Sequence, residues 1–196
     1  MDNKAKKAIR GFLYFIAFGF IIACFIYLGE KYASNSKDEI LTIKDYYKNI
    51  DNIDIEPISG TKFINMIKKG DEIIIIGSHT SKWSEKYIEV ISEALKEMKI
   101  KKAYYYDLNN DKSQKNSNYY KIIDLLKGSL TETDAGEDNL LAPSLYIIDN
   151  NEIRYYDTET VAMPNNISPE EYWNKEQKEI FKTKIKIAIE KYYLNN

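Results

Sequence analysis

Sulfur chemistry is almost absent from this chain, whose 196 residues hold a single cysteine, Cys24. The part that follows it can form no internal disulfide and offers no dithiol for exchange. Histidine is equally scarce, His79 being the only one. No metal or cofactor is expected. An excess of one charge sign is missing too, since 28 Lys and Arg face 30 Asp and Glu, interspersed, for a formal net charge of −2. With no basic block beyond the first ten residues, nucleic acid binding has no electrostatic support. No internal repeat or low-complexity tract is present.

One long apolar run is present. Gly11 to Gly29 carries no charge and is preceded by Lys4, Lys6, Lys7 and Arg10. At about 1.5 Å of rise per residue, a helix of that length nearly matches the roughly 30 Å core of a bilayer. The basic flank then stays in the cytoplasm and the rest lies outside the cell. A cleaved secretory signal has a shorter core of about 7 to 15 residues and a small-x-small site, which Gly29-Glu30-Lys31-Tyr32-Ala33 does not supply. The run therefore reads as a single-pass signal anchor. Cys24 leaves two readings open. Ile21-Ile22-Ala23-Cys24 resembles a relaxed lipobox, which would make Cys24 a lipid anchor, whereas Phe25-Ile26-Tyr27-Leu28 continues the apolar helix and makes the cysteine a small apolar residue within it. Both readings put the domain on the outer face of the membrane.

The expected organisation is a basic cytoplasmic segment at 1–10, the anchor at 11–29, a stalk with a short helix at 30–52, and one domain at 53–196. About 160 residues remain beyond the anchor and the polar stretch near Glu30 to Lys37, enough for one core.

Along that domain, strand and helix signals alternate. Asp38 to Asn49 reads as a short helix, Ile53-Asp54-Ile55 as a strand, and Thr61 to Lys69 as a helix with Phe63, Ile64 and Ile67 on one face. Glu72-Ile73-Ile74-Ile75-Ile76 is too short for a helix and too apolar for an edge, so it predicts a central strand buried on both faces. Ser81 to Lys99 predicts a helix, Lys102 to Asp107 a strand, and Asn118 to Lys127 a helix. The turn formers Asp149-Asn150-Asn151 join strands at 144–148 and 152–156 into a hairpin. A last helix opens at Ser168-Pro169-Glu170-Glu171, a capping box with proline in its first turn.

At this point particular residues carry a resemblance. Ile75-Ile76-Gly77-Ser78-His79-Thr80-Ser81-Lys82-Trp83-Ser84 is similar to the strand, active-site turn and helix start of thioredoxin-like proteins, with serine at both cysteine positions. Ala142-Pro143-Ser144-Leu145 resembles that family's cis-proline turn. The resemblance implies an α/β, thioredoxin-like fold with a mixed central sheet flanked by helices, preceded here by one N-terminal transmembrane helix. The Ile76-Gly77 and Tyr105-Tyr106-Asp107 strand ends resemble those of membrane-anchored, extracytoplasmic thioredoxin-like proteins of low-GC Gram-positive bacteria, among them the bacteriocin transport accessory proteins.

In redox members of that family the first cysteine sits at a helix N-terminus, where free N–H groups favour the thiolate, and the second resolves the mixed disulfide. Ser81 and Ser84 can do neither, and Ile75 stands where many relatives carry a buried acid. The catalytic set is therefore empty. What the resemblance leaves is a groove for an extended peptide, made by Ser81, Lys82, Trp83, Ser84, Ala142 and Pro143, in which main-chain pairing needs no thiol. The competing reading of Trp83 is that it merely packs on its own helix.

The expected function is thus a membrane-tethered, redox-inactive domain that binds an extracytoplasmic polypeptide or a membrane export complex, as an accessory or chaperone-like factor. The alternative is a thiol-disulfide oxidoreductase or isomerase of the bacteriocin-accessory type whose two cysteines are serine in this copy. Three narrower readings concern particular residues. Ser81 with His79 as a nucleophile needs a base and an orienting group in hydrogen-bond reach, and a plain N-cap role for Ser81 competes. Asp107-x-Asn109-x-Asp111-x-Ser113 departs from a calcium loop at Lys112 and Asn118, and reads as a polar strand-to-helix loop. Gly11, Gly19 and Gly29 could serve helix contacts in a membrane complex, at a spacing too loose to argue from.

Overall fold

Four consecutive isoleucines set the middle of the sheet. In the computed structural model of the chain, which describes residues 42–48, 50, 54–132, 136–158 and 166–194, Ile73, Ile74, Ile75 and Ile76 are all fully buried. Their strand, β2 (Glu72–Gly77), lies between a parallel neighbour, β3 (Ala103–Asp107), and an antiparallel one, β6 (Ser144–Asp149). The edges are β1 (Ile55–Ile58), parallel to β3, and β7 (Glu152–Asp157), antiparallel to β6. The order is β1-β3-β2-β6-β7. Pro57 is tolerated in β1 because an edge strand leaves one side unpaired.

Alternation along the strands divides the core in two. Ile73, Ile75, Ala103, Tyr105, Leu145 and Ile147 face one layer of helices. That layer is α1 (Ile43–Tyr46), α3 (Lys82–Glu97) and α7 (Lys175–Ile189), which bury Ile43, Tyr87, Ile91, Phe181 and Ile185 there. Ile74, Ile76, Tyr104, Tyr106, Tyr146 and Ile148 face the other, where α2 (Gly60–Ile67) and α5 (Ser117–Leu125) contribute Phe63, Ile64 and Ile122. The result is a mixed five-stranded sheet flanked by helices, an arrangement compatible with a thioredoxin-like fold. The compact unit runs from Leu41 to Asn196, with Ile43, Tyr47 and Ile50 inside its core.

The hairpin at Asp149-Asn150-Asn151 is present, and Asn150 and Asn151 both take the positive φ that such a turn requires. Two expectations are corrected. The polar stretch after β3 is helical, forming α4 (Leu108–Gln114), because Asp107 caps it, Leu108 anchors it in the core, and Lys115 ends it in the left-handed region. The helix opening at Ser168 lasts one turn, α6 (Pro169–Tyr172), and the chain restarts as α7 because the Asn174 side chain accepts from the Gln177 N–H at 3.0 Å. A small antiparallel pair, β4 (Thr131–Glu132) and β5 (Asp138–Asn139), was unforeseen. The apolar run at 11–29 and Cys24 lie outside the described residues. Among those described, no helix is long and apolar enough to cross a membrane.

Candidate functional site

The turn that follows β2 is built from hydroxyl groups. Gly77 ends the strand against two tyrosines, and a Cβ there would stand 2.6 Å from the Tyr105 ring and 3.0 Å from the Tyr47 hydroxyl. Only glycine permits that approach. The chain then turns, with the Ser81 N–H donating to the Ser78 carbonyl at 2.9 Å. Ser81 caps α3 by accepting from the Ser84 N–H at 3.4 Å. Ser84 is fully buried and accepts from the Ser78 N–H at 3.0 Å. Each of these two serines is thus committed to holding the turn. Beneath them the Tyr47 and Tyr105 hydroxyls meet at 2.9 Å. Burial pushes both phenols far above their ordinary range, with Ser84 and Tyr105 hydrogen bonds partly offsetting this at Tyr47. Ile75 is paired with Tyr105 and Leu145 in the sheet and fully buried, so no acid stands at that position under the turn.

The proline turn lies at the same end of the sheet. The Ala142-Pro143 peptide is cis, and the pairing of Ser144 with Ile76 places it beside the end of β2. Pro143 is buried and Ala142 half-buried. Trp83 is half-buried with its ring 5.6 Å from that of Tyr172, in contact with the core. Lys82 points to solvent. The register brings the serine turn and the cis-proline turn together as the sequence pattern anticipates; Trp83 flanks them through an aromatic contact with α6 that no motif signalled.

On the opposite side of Gly77 the register places Asp107. Its carboxylate accepts from the Asn109 N–H at 3.2 Å, capping α4, and holds the His79 Nδ1 at 2.5 Å. Asn109 Nδ2 donates to the Thr80 hydroxyl at 3.2 Å, while its Oδ1 accepts from the Ser78 hydroxyl at 2.7 Å. The Asp107 side chain is 7% exposed against 43% for His79, so a sheltered carboxylate orients a solvent-facing imidazole. One turn further, Lys112 donates to the Leu140 carbonyl at 3.3 Å and ties α4 to the segment before Pro143. Burial pushes the Lys112 ammonium down from its ordinary value. Sequence reasoning found His79 but neither Asp107 and Asn109 as its neighbours nor Lys112 as the tie to the segment before Pro143. The available signal was Asp107 at a strand end before a helix, which becomes informative only with the β2–β3 register.

Chemically, His79 with Asp107 supplies a base and an orienting group, but among the described residues no serine hydroxyl bonds the imidazole, and Ser81 faces its own helix. The Asp107–Ser113 stretch is used internally: Asp111 accepts from the Tyr106 hydroxyl and from Asn116 Nδ2, both at 2.6 Å. No group of three or more metal-ligand side chains is arranged for an ion among the described residues. Comparison with known protein families and with curated proteins finds no match for the chain.

Proposed function

We propose that the chain is a membrane-tethered, thioredoxin-like domain without redox activity that binds an extended polypeptide outside the cell, as an accessory factor in export or envelope assembly. The observation that carries this reading is the pairing of a cis-proline turn with a serine turn at one end of the sheet. Peptide pairing along the proline segment uses main-chain groups, and those survive the loss of sulfur. Trp83 and Tyr172 supply an apolar wall beside the turn, and exposed Lys82 favours acidic side chains in the bound segment. The anchor at 11–29 keeps the groove at the outer membrane face.

The experiment is a peptide-array scan with the full chain and a Trp83→Ala variant. Binding of a subset of extended peptides, weakened about ten-fold or more by Trp83→Ala, is expected. No binding, or binding indifferent to Trp83, contradicts the reading. A disulfide oxidoreductase whose cysteines have been exchanged in this copy is the second reading, favoured by the retained cis-proline.

A further inference from the structure

Among the described residues, the lysines held partly or wholly out of water are Lys86, Lys112, Lys178, Lys182 and Lys186. All but one of them have a carboxylate oxygen within 3.0 Å. Lys86 and Lys178 share Glu89, Lys186 meets Glu97, and Lys182 meets Glu97 and Glu179. Lys112 is the exception: among the described residues it has no ion pair, and its ammonium makes one hydrogen bond, at 3.3 Å to the Leu140 carbonyl. A cation sheltered from water without an anion carries a desolvation cost that nothing offsets. Burial alone is what pushes this ammonium below its ordinary value.

The place of Lys112 in the fold gives that unpaired charge a use. Helix α4 starts at Leu108, directly after the residue that the register sets beside Gly77, and its Asn109 bonds the Ser78 and Thr80 hydroxyls of the serine turn. Lys112 follows Asn109 by one helical turn, so the two share a face of α4. Its acceptor, Leu140, lies in the segment that leads into the cis Ala142-Pro143 peptide. α4 is therefore tied at its start to the serine turn and near its end to the proline segment. The acids beside Lys112 are in use elsewhere. Asp107 accepts from the Asn109 N–H and holds His79, and Asp111 accepts from the Tyr106 hydroxyl and Asn116.

We infer that Lys112 is a carboxylate-binding subsite of the peptide groove, taking an acidic side chain or the C-terminal carboxylate of a polypeptide laid along the proline segment. The inference rests on the peptide-binding reading and adds the chemical class of the segment bound. A strand pairing with the proline segment lies against the stretch that Lys112 holds. An ammonium has three donors, and only one is in use here. A charge-assisted bond made in a half-buried site is also stronger than one made in open solvent. Lys82, exposed and facing Glu85 at 4.0 Å, is the weaker of the two cations near the groove.

The test compares peptides in pairs on an array probed with the full chain. Each member containing Asp or Glu stands beside its Asn or Gln isostere, and both are made with a free and with an amidated C-terminus. Removing the carboxylate that is read, by isostere or by amidation, should weaken binding about five- to ten-fold. Lys112→Gln keeps a donor for the Leu140 carbonyl; it should erase that ratio while changing the binding of neutral members less than about two-fold, and Lys112→Arg should retain the ratio. Lys82→Gln, at an exposed position, should lower it by no more than about two-fold. A ratio that follows amidation assigns the carboxylate to the chain terminus, and one that follows the isosteres assigns it to a side chain; either supports the inference when Lys112→Gln erases it. Binding without any acidic preference would overturn the inference and leave the peptide-binding reading standing. So would a preference that survives Lys112→Gln, or a Lys112→Gln loss equal for acidic and neutral members. A native chain that binds no peptide would overturn both.

Discussion

Tyr47 and Tyr105, 58 residues apart in sequence, share a buried hydroxyl-to-hydroxyl hydrogen bond of 2.9 Å directly below the serine turn. The bond joins the segment after α1 to the middle of the sheet and reaches Ser84 through Tyr47. The serine turn sits over a chain of hydroxyl groups.

Removing one partner should cost more than removing both. Tyr47→Phe leaves the Tyr105 hydroxyl buried without a partner and should destabilise a fragment spanning 34–196 by about 1–3 kcal/mol. In the double variant Tyr47→Phe/Tyr105→Phe no orphan remains, so the two effects should fall short of additivity by about 1 kcal/mol. Urea unfolding of the four proteins checks this, and strict additivity would show that the bond is not made.

Asp107 is the structural hub of the other side of the turn. Asp107→Ala removes the α4 cap and the acceptor for His79 together, and should cost about 1–2 kcal/mol. Asp107→Asn keeps an acceptor for the cap and should cost less. His79→Ala, at an exposed ring, should cost least. The same unfolding series ranks them, and a His79→Ala loss equal to that of Asp107→Ala would reverse the roles of orienting and oriented group.

The buried tyrosines should hold their protons to high pH. Burial raises Tyr47, Tyr105 and Tyr106 far above the ordinary phenol, with Asp111 adding to the rise at Tyr106, and it brings Tyr146 to about 12. Because the folded state holds these protons more tightly than the unfolded chain, their contribution to stability is whole below about pH 10 and is lost as pH climbs from there towards the folded values. An alkaline titration followed by tyrosinate absorbance should therefore show that these buried tyrosines ionise only together with loss of the helical circular dichroism. A single step near pH 10 with helical signal retained would contradict the packing of β3.

The parts of the fold legible in the sequence are those in which one residue type repeats with a clear period. The Ile73–Ile76 run identifies the central strand, and the apolar stripe after Ser81 identifies α3. Elements decided by a single cap were not legible: α4 depends on Asp107 and Leu108 overriding a polar composition, and the break at Trp173 depends on Asn174 recapping the chain. The site divides the same way. The serine and proline turns are local motifs and could be read directly, whereas the bond from Asp107 to His79 spans 28 positions and exists only because β2 and β3 align Gly77 with Asp107.

The most direct test of the central reading is disulfide reduction by the native protein beside a Ser81→Cys/Ser84→Cys double variant. The account predicts an inert native protein and an active variant, since the turn, the helix start and the cis-proline already stand at one end of the sheet. Activity in the native protein would contradict it, because the chemistry would then be running without the thiols on whose absence the account rests.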